Sequence, residues 1–201
     1  MKSGDTMREK EDLRIRKTKA NLYKGIIELL KTKKLEEINI TDICKASMIN
    51  RSTFYDHFND KQGVLEALIQ DSKEECIEDL KKVSKKEKTK SIKDYYVKII
   101  EEFIQYIEKH PTMKETIQLI EKNDSSTIYN MLLEIFQECG KEELKNNYEN
   151  TSSTPIEMIS LFYASGIAKV LMETNLEKKT VLKEWDSLLP ELPNLKQKKE
   201  Q

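Results

Sequence analysis

Residues 50 to 58 read Asn-Arg-Ser-Thr-Phe-Tyr-Asp-His-Phe. At helical spacing Phe54 and Phe58 fall on one side, leaving Asn50, Arg51, Ser52, Thr53, Tyr55, Asp56 and His57 on the other. These are short hydrogen-bond donors and acceptors with one guanidinium, gathered toward the N-terminal end of a short helix. Such a set suits a partner that presents donors and acceptors in a fixed pattern, as base edges do in the major groove. The preceding "TDICKAS" makes a second short helix with Thr41 as its N-cap, and Met48 and Ile49 form a tight connection. Ile43, Ala46, Ile49, Phe54 and Phe58 face inward, with Ala46 small where the two helices cross. The lengths are those of a helix-turn-helix whose second helix is the reader.

Other chemistry is thin. The two histidines are His57, on the reading helix, and His110, ahead of a proline; neither suits a metal ligand or a general base. No Gly-rich phosphate loop, Ser-His-Asp set or pair of carboxylates in an apolar context is present. An enzyme is not expected, and no cofactor or metal is implied; a helical enzyme would return to view only with a bound metal or cofactor.

The elements that position the motif follow from composition and period. The chain has 201 residues, 35% charged and 37% hydrophobic, with only five Gly and four Pro, which favours an all-α protein. Ile15, Leu22, Ile26, Leu29 and Leu30 mark an amphipathic helix over residues 13 to 33. Asp60 caps a long helix through Leu65, Ile69, Cys76 and Leu80, which the lysine-rich "KKVSKKEKTK" ends as a solvated turn. Further helices carry Ile92 to Tyr106, Met113 to Ile120, Ile128 to Cys139 and residues 156 to 176, with a last short one near Val181 to Leu189. The stretch "NNYENTSSTP" is the clearest loop, and no strand alternation is visible. The expected organisation is a three-helix helix-turn-helix domain at 1–62, unstructured to about residue 11, and a larger helical domain at 63–201.

Charge divides along the same line. Residues 1–63 hold 14 Lys and Arg against 10 Asp and Glu, net +4, and the remainder 21 against 26, net −5. The first third is therefore the part suited to meet an anion. Cys44, Cys76 and Cys139 are few and widely spaced, which fits a reducing cytoplasm better than a disulfide frame. No apolar run reaches the roughly 20 residues of a membrane helix.

The segment "ITDICKASMINRSTFYDHFNDKQGVLEAL", with "TKANLYKGIIELLKTKKLEEI" ahead of it, resembles the DNA-binding domain of the TetR/AcrR family of bacterial transcriptional regulators over about residues 14 to 69. The resemblance implies that Tyr55 and Lys61 contact phosphates and that Thr41 is a backbone-contacting cap. Lys61 at a helix N-terminus and the outward hydroxyl of Tyr55 suit that role physically. Two positions depart from the family pattern: Met48 in the turn and Lys34 after the first helix stand where Gly is usual, and each carries a cost if its φ is positive.

In the larger domain Tyr96, Phe103, Tyr106, Met113, Ile117, Tyr129, Phe136 and Phe162 combine adaptable, apolar and hydroxyl-bearing side chains, either as plain core or as a pocket lining. The resemblance implies a small-molecule effector there, which the sequence does not identify. Ser160, Ala164 and Ala168 form a small-residue stripe in a helix apolar over most of its circumference. With Ile128, Leu132, Ile135, Tyr163, Ile167 and Leu171 they are expected to meet a twofold copy in a four-helix bundle, with burial inside the single chain as the alternative. The reading is a homodimeric repressor on double-stranded DNA bearing an inverted repeat, released by a small molecule. A dimeric activator or coactivator controlled by a protein partner is the alternative.

Overall fold

No proline interrupts the chain before Pro111, and good helix formers such as Met7 to Glu11 extend the first helix farther back than its apolar spacing suggests. A computed structural model describes residues 3–84, 89–174, 184–192 and 194–198. Helix α1 spans Ser3–Leu30 and so includes the stretch to residue 11 that was expected to be unstructured. A short 3-10 turn, Leu35–Glu37, leads to α2 (Ile40–Ala46), α3 (Arg51–Tyr55) and α4 (Lys61–Ser84). The chain divides into two units, Met1–Asp71 and Ser72–Gln201. The break falls inside α4 rather than after residue 62, because Val64 and Leu68 of α4 are buried in the core of the first unit.

That core includes Leu22, Ile26 and Leu30 of α1 with Ile38, Ile43, Phe54, Val64 and Leu68. The buried face of α1 starts at Leu22, whereas Leu13 and Ile15 are exposed. Helices α1 and α2 approach where neither carries bulk. A Cβ on Gly25 would stand 3.0 Å from both the Cβ and the backbone N of Ser47. Ala46, expected at a helix crossing, is instead exposed, and Ser47 is the buried small residue. The hydroxyl of Ser47 survives burial by donating to the Ile43 carbonyl. Of the two positions where the family pattern has Gly, only Met48 has positive φ, at 54°. Lys34 is extended, with φ −73°.

The second unit holds α5 (Ile92–Lys109), α6 (Pro111–Asn123), α7 (Ser125–Asn147) and α8 (Ile156–Glu173). Ser91 caps α5 by accepting from Asp94 N at 3.1 Å. Asp124 caps α7, accepting from Ser126 N at 3.0 Å and from the Thr127 hydroxyl at 2.6 Å. Pro111 opens α6, where its missing N–H costs nothing. Residues 184–188 are helical; residues 181 to 183 of the expected last helix lie outside the described residues. Inside the supposed loop, Tyr148–Asn150 (β1) pairs antiparallel with Leu195–Gln197 (β2). Strands of three residues are too short to show alternation in a sequence.

Helices α7 and α8 form the most extensive helix pairing. Burial raises the pKa of the Cys76 thiol and pushes that of Cys139 up to about 12, so both behave as small core residues rather than nucleophiles. Gly140 in α7 marks the tightest approach. A Cβ there would lie 1.7 Å from the Tyr96 hydroxyl and 2.6 Å from its ring carbon Cζ. Tyr96 cannot yield easily, since it is fully buried and stacked on Tyr163 at 4.6 Å. Gly140→Ala should therefore destabilise the protein by about 1–3 kcal/mol through overpacking, although alanine is the better helix former. Urea denaturation would measure the shift, and a more stable variant would show that the Tyr96 ring has room to move.

Candidate nucleic-acid interface

The site begins with the cap of α2. Asn39, not Thr41, is the N-cap: its side chain accepts from Asp42 N at 2.9 Å. Thr41 falls in the first turn and is exposed. Placing the cap two residues earlier follows from Asn39 being followed at the third position by Asp42, a capping-box spacing visible in the sequence. Lys33 binds Asp42 at 3.1 Å and, as hydrogen-bond partner, holds that carboxyl below its usual range.

Helix α3 is five residues long, and its ends are tied locally. Asn50 is the N-cap, accepting from Thr53 N at 2.8 Å and from the Ser52 hydroxyl at 2.7 Å. Its carbonyl oxygen is thus occupied, so Asn50 and Ser52 serve the helix start before anything else. Phe54 is fully buried, with Tyr55 edge-on at 5.5 Å and Phe58 tilted at 6.3 Å. Arg51, Ser52 and Tyr55 are exposed, whereas Thr53 and His57 are half-buried. Arg51 reaches across one turn to the Tyr55 hydroxyl at 3.4 Å and lies 6.0 Å from the ring centroid. The guanidinium and the phenol are held as one outward pair.

Thr41, Arg51 and Lys61 come together along an open groove of about 800 Å³, which Glu36, Asn39 and Lys45 also line. Asn50, Ser52, Thr53, Tyr55 and His57 are not part of that lining. The sequence reading missed Asn39 and Lys45; an exposed lysine on the first helix of the motif was the available signal for the second. Lys61 is oriented differently from expectation, since its ammonium donates to backbone carbonyls rather than standing clear for an anion. Elsewhere in this unit the Tyr23 hydroxyl donates to Asp71 at 2.6 Å and Lys19 joins at 3.2 Å, fixing α1 to α4. Burial first, then that carboxylate, raises the Tyr23 pKa.

The other expected sites divide. Tyr96, Phe103, Tyr106, Met113, Ile117 and Phe136 are buried in the second unit, Tyr129 is half-buried, and Phe162 is exposed. Phe103 meets Phe136 edge-on at 5.4 Å, and Tyr106 stacks on His110 at 4.0 Å. The stripe expected to meet a second copy is consumed within the chain. Ile128, Leu132 and Ile135 of α7 and Ser160, Tyr163, Ala164, Ile167, Ala168 and Leu171 of α8 are all buried within the single chain, where α7 and α8 pack on each other. Apolar period identifies a face, not whose helix covers it. On α8 the large apolar side chains left exposed are Met158, Leu161 and Phe162. Among the described residues no three His, Cys, Asp or Glu side chains gather to hold a metal, and no helix is long and apolar enough to cross a membrane.

An N-terminal helix-turn-helix in one unit and a larger helical bundle in the other define the fold of the TetR-type transcriptional regulators. Solved structures of that family share it. A TetR transcriptional regulator from Streptococcus agalactiae 2603V matches with a TM-score of 0.57 and 20% identity, over 90% of this chain and 98% of that one. A putative TetR-family regulator from Syntrophomonas wolfei str. Goettingen matches with 0.55 and 18%, over 88% and 93%. In sequence, 79 residues are 38% identical to YxbF, an uncharacterised HTH-type transcriptional regulator of Bacillus subtilis (strain 168). That stretch is 38% of this chain and spans 21% of the relative's length. No family model matches the chain.

Because Asn50 alone caps α3, Asn50→Ala should destabilise the protein by about 1 kcal/mol, while Asn50→Asp should retain most of the stability. Chemical denaturation of the two variants checks this; equal stability of Asn50→Ala and the parent would mean that the cap bond is replaced by water.

Proposed function

We propose that this chain is a transcriptional regulator that binds double-stranded DNA as a homodimer. It represses by occupying an inverted-repeat operator and leaves when a small molecule binds the second unit. One observation carries the DNA reading: α3 has its backbone capped and Phe54 buried, which leaves Arg51, Ser52 and Tyr55 as an exposed polar face at the second helix of a helix-turn-helix. Arg51 is the base-reading residue, since a guanidinium fork matches the two acceptors of guanine. Thr53 reads beside it. Tyr55 and Thr41 contact the phosphate backbone, with exposed Lys45 supplying charge.

Dimerisation is supported by the outer face of α8, where Met158 is 61%, Leu161 43% and Phe162 60% exposed. Three large apolar side chains within one and a half turns are the kind of patch that a second copy covers. Effector binding is supported by the buried aromatic set of the second unit. There the Trp185 indole N–H is buried and has no hydrogen-bond partner among the described residues, and a ligand acceptor would relieve that cost.

Arg51→Ala should cost about 1–3 kcal/mol on the operator selected from a genomic library while barely changing affinity for random duplex. Equal loss on both would remove α3 as the reader. Phe162→Glu should give monomers in light scattering at micromolar concentration, because desolvating an unpaired charge costs several kcal/mol. A persisting dimer would place the interface away from this face.

A further inference from the structure

Lys61, the first residue of α4, carries three N–H donors, and all three have an acceptor inside the first unit. The ammonium Nζ lies 2.6 Å from the Leu35 carbonyl oxygen, 2.7 Å from that of Ile38 and 3.0 Å from that of Glu36. These carbonyls belong to the 3-10 turn Leu35–Glu37 and to its C-cap, Ile38. The next residue, Asn39, caps α2. Ile38 between them is 1% exposed, so the carbonyls that Lys61 holds belong to backbone anchored in the core. One side chain thus fastens the start of α4 to the segment that sets where the helix-turn-helix begins.

We infer that Lys61 is a positioning residue for DNA reading and does not bind a phosphate. The inference rests on the reading of α3 as the DNA-contacting helix. An ammonium that has given three protons to carbonyls has none for a phosphate oxygen. Moving to the phosphate would take the cation away from three carbonyls, of which that of Leu35 also accepts from Ile38 N at 3.2 Å. Shape matters as well as charge: a compact ammonium can point donors at three converging oxygens, whereas the donors of a guanidinium lie in one plane. Lysine and arginine are therefore not interchangeable here, although a phosphate would accept either.

The test uses full-length protein, the selected operator and a random duplex, with salt titrations at a temperature where circular dichroism shows each variant folded. Lys61→Met and Lys61→Arg should each lose about tenfold or more in operator affinity, the scale expected when charged hydrogen bonds are lost. Loss on random duplex should be smaller, and the slope of log affinity against log salt should stay at the parent value for both. The parent's Lys61 Nζ signal in NMR should keep its position when operator is added. If Lys61→Met lowers the slope by roughly 0.9, as one released counterion requires, and Lys61→Arg binds like the parent, Lys61 is a phosphate contact and the inference fails while the DNA-binding reading stands. Parent-like operator binding by both variants would also overturn it. Should the parent bind no duplex at any salt, the reading of α3 is what fails.

Discussion

A helix of five residues cannot hold itself together, since nucleation fixes several backbone dihedrals for one or two hydrogen bonds. Helix α3 therefore exists only because its surroundings impose it, and the first unit is organised around that need. Asn50 satisfies the start of the helix, Phe54 drives its inner side into the core, and the rings of Tyr55 and Phe58 bracket Phe54. The seat for α3 is α2, which can sit close to α1 because Gly25 faces Ser47 without a side chain between them. Met48 completes the turn at a positive φ that a non-glycine residue adopts at a cost of about 1–2 kcal/mol. The connection is short enough that the chain tolerates this strain rather than lengthening.

The second unit solves a different problem, that of covering long helices. Helix α5 is buried along most of one side, from Ile92 to Ile107, and α7 and α8 bury each other's stripe. Close approach again depends on a missing side chain, at Gly140, into which the Tyr96 hydroxyl fits. That hydroxyl reaches toward the Ser160 carbonyl at 3.5 Å, and the neighbouring Tyr95 donates to the Cys139 carbonyl at 2.9 Å. The polar ends of buried tyrosines are thereby tied to the backbone of helices on either side.

Much of the architecture was legible in the sequence because period and breakers report it directly. The apolar faces of α5 to α7, the break at Pro111, the cap at Asp60, which accepts from Gly63 N at 2.8 Å, and the helix-turn-helix around Met48 follow from residue type and spacing. On α4, by contrast, Val64 and Leu68 are buried and the expected Leu65 and Ile69 only half-buried. Thr41 and Asn39 are both cap-forming residue types, and the spacing of Asn39 to Asp42 was the overlooked signal that decides between them. What was not legible depends on pairwise geometry. Ala46 and Ser47 are both small, yet only the crossing with Gly25 determines which is buried. Lys61 at a helix start reads as an anion binder until the carbonyls of a turn some 25 residues earlier are brought to it. The stripe of Ser160, Ala164 and Ala168 reads as a face that another helix covers, and residue type alone cannot say whether that helix belongs to the same chain, in which all three are buried.

The two-sided character of α8 has a consequence for how the chain reaches its folded state. Its inner stripe and its outer patch of Met158, Leu161 and Phe162 are both apolar, so a nascent α8 offers two faces of similar stickiness. Until α7 claims the inner one, another molecule can occupy it as readily as the outer. Refolding yield should then fall as protein concentration rises, with the lost material in soluble exchanged oligomers and aggregates rather than in unfolded chain. The partition is set by a race between an intramolecular collision, whose rate is independent of concentration, and an intermolecular one, whose rate is not.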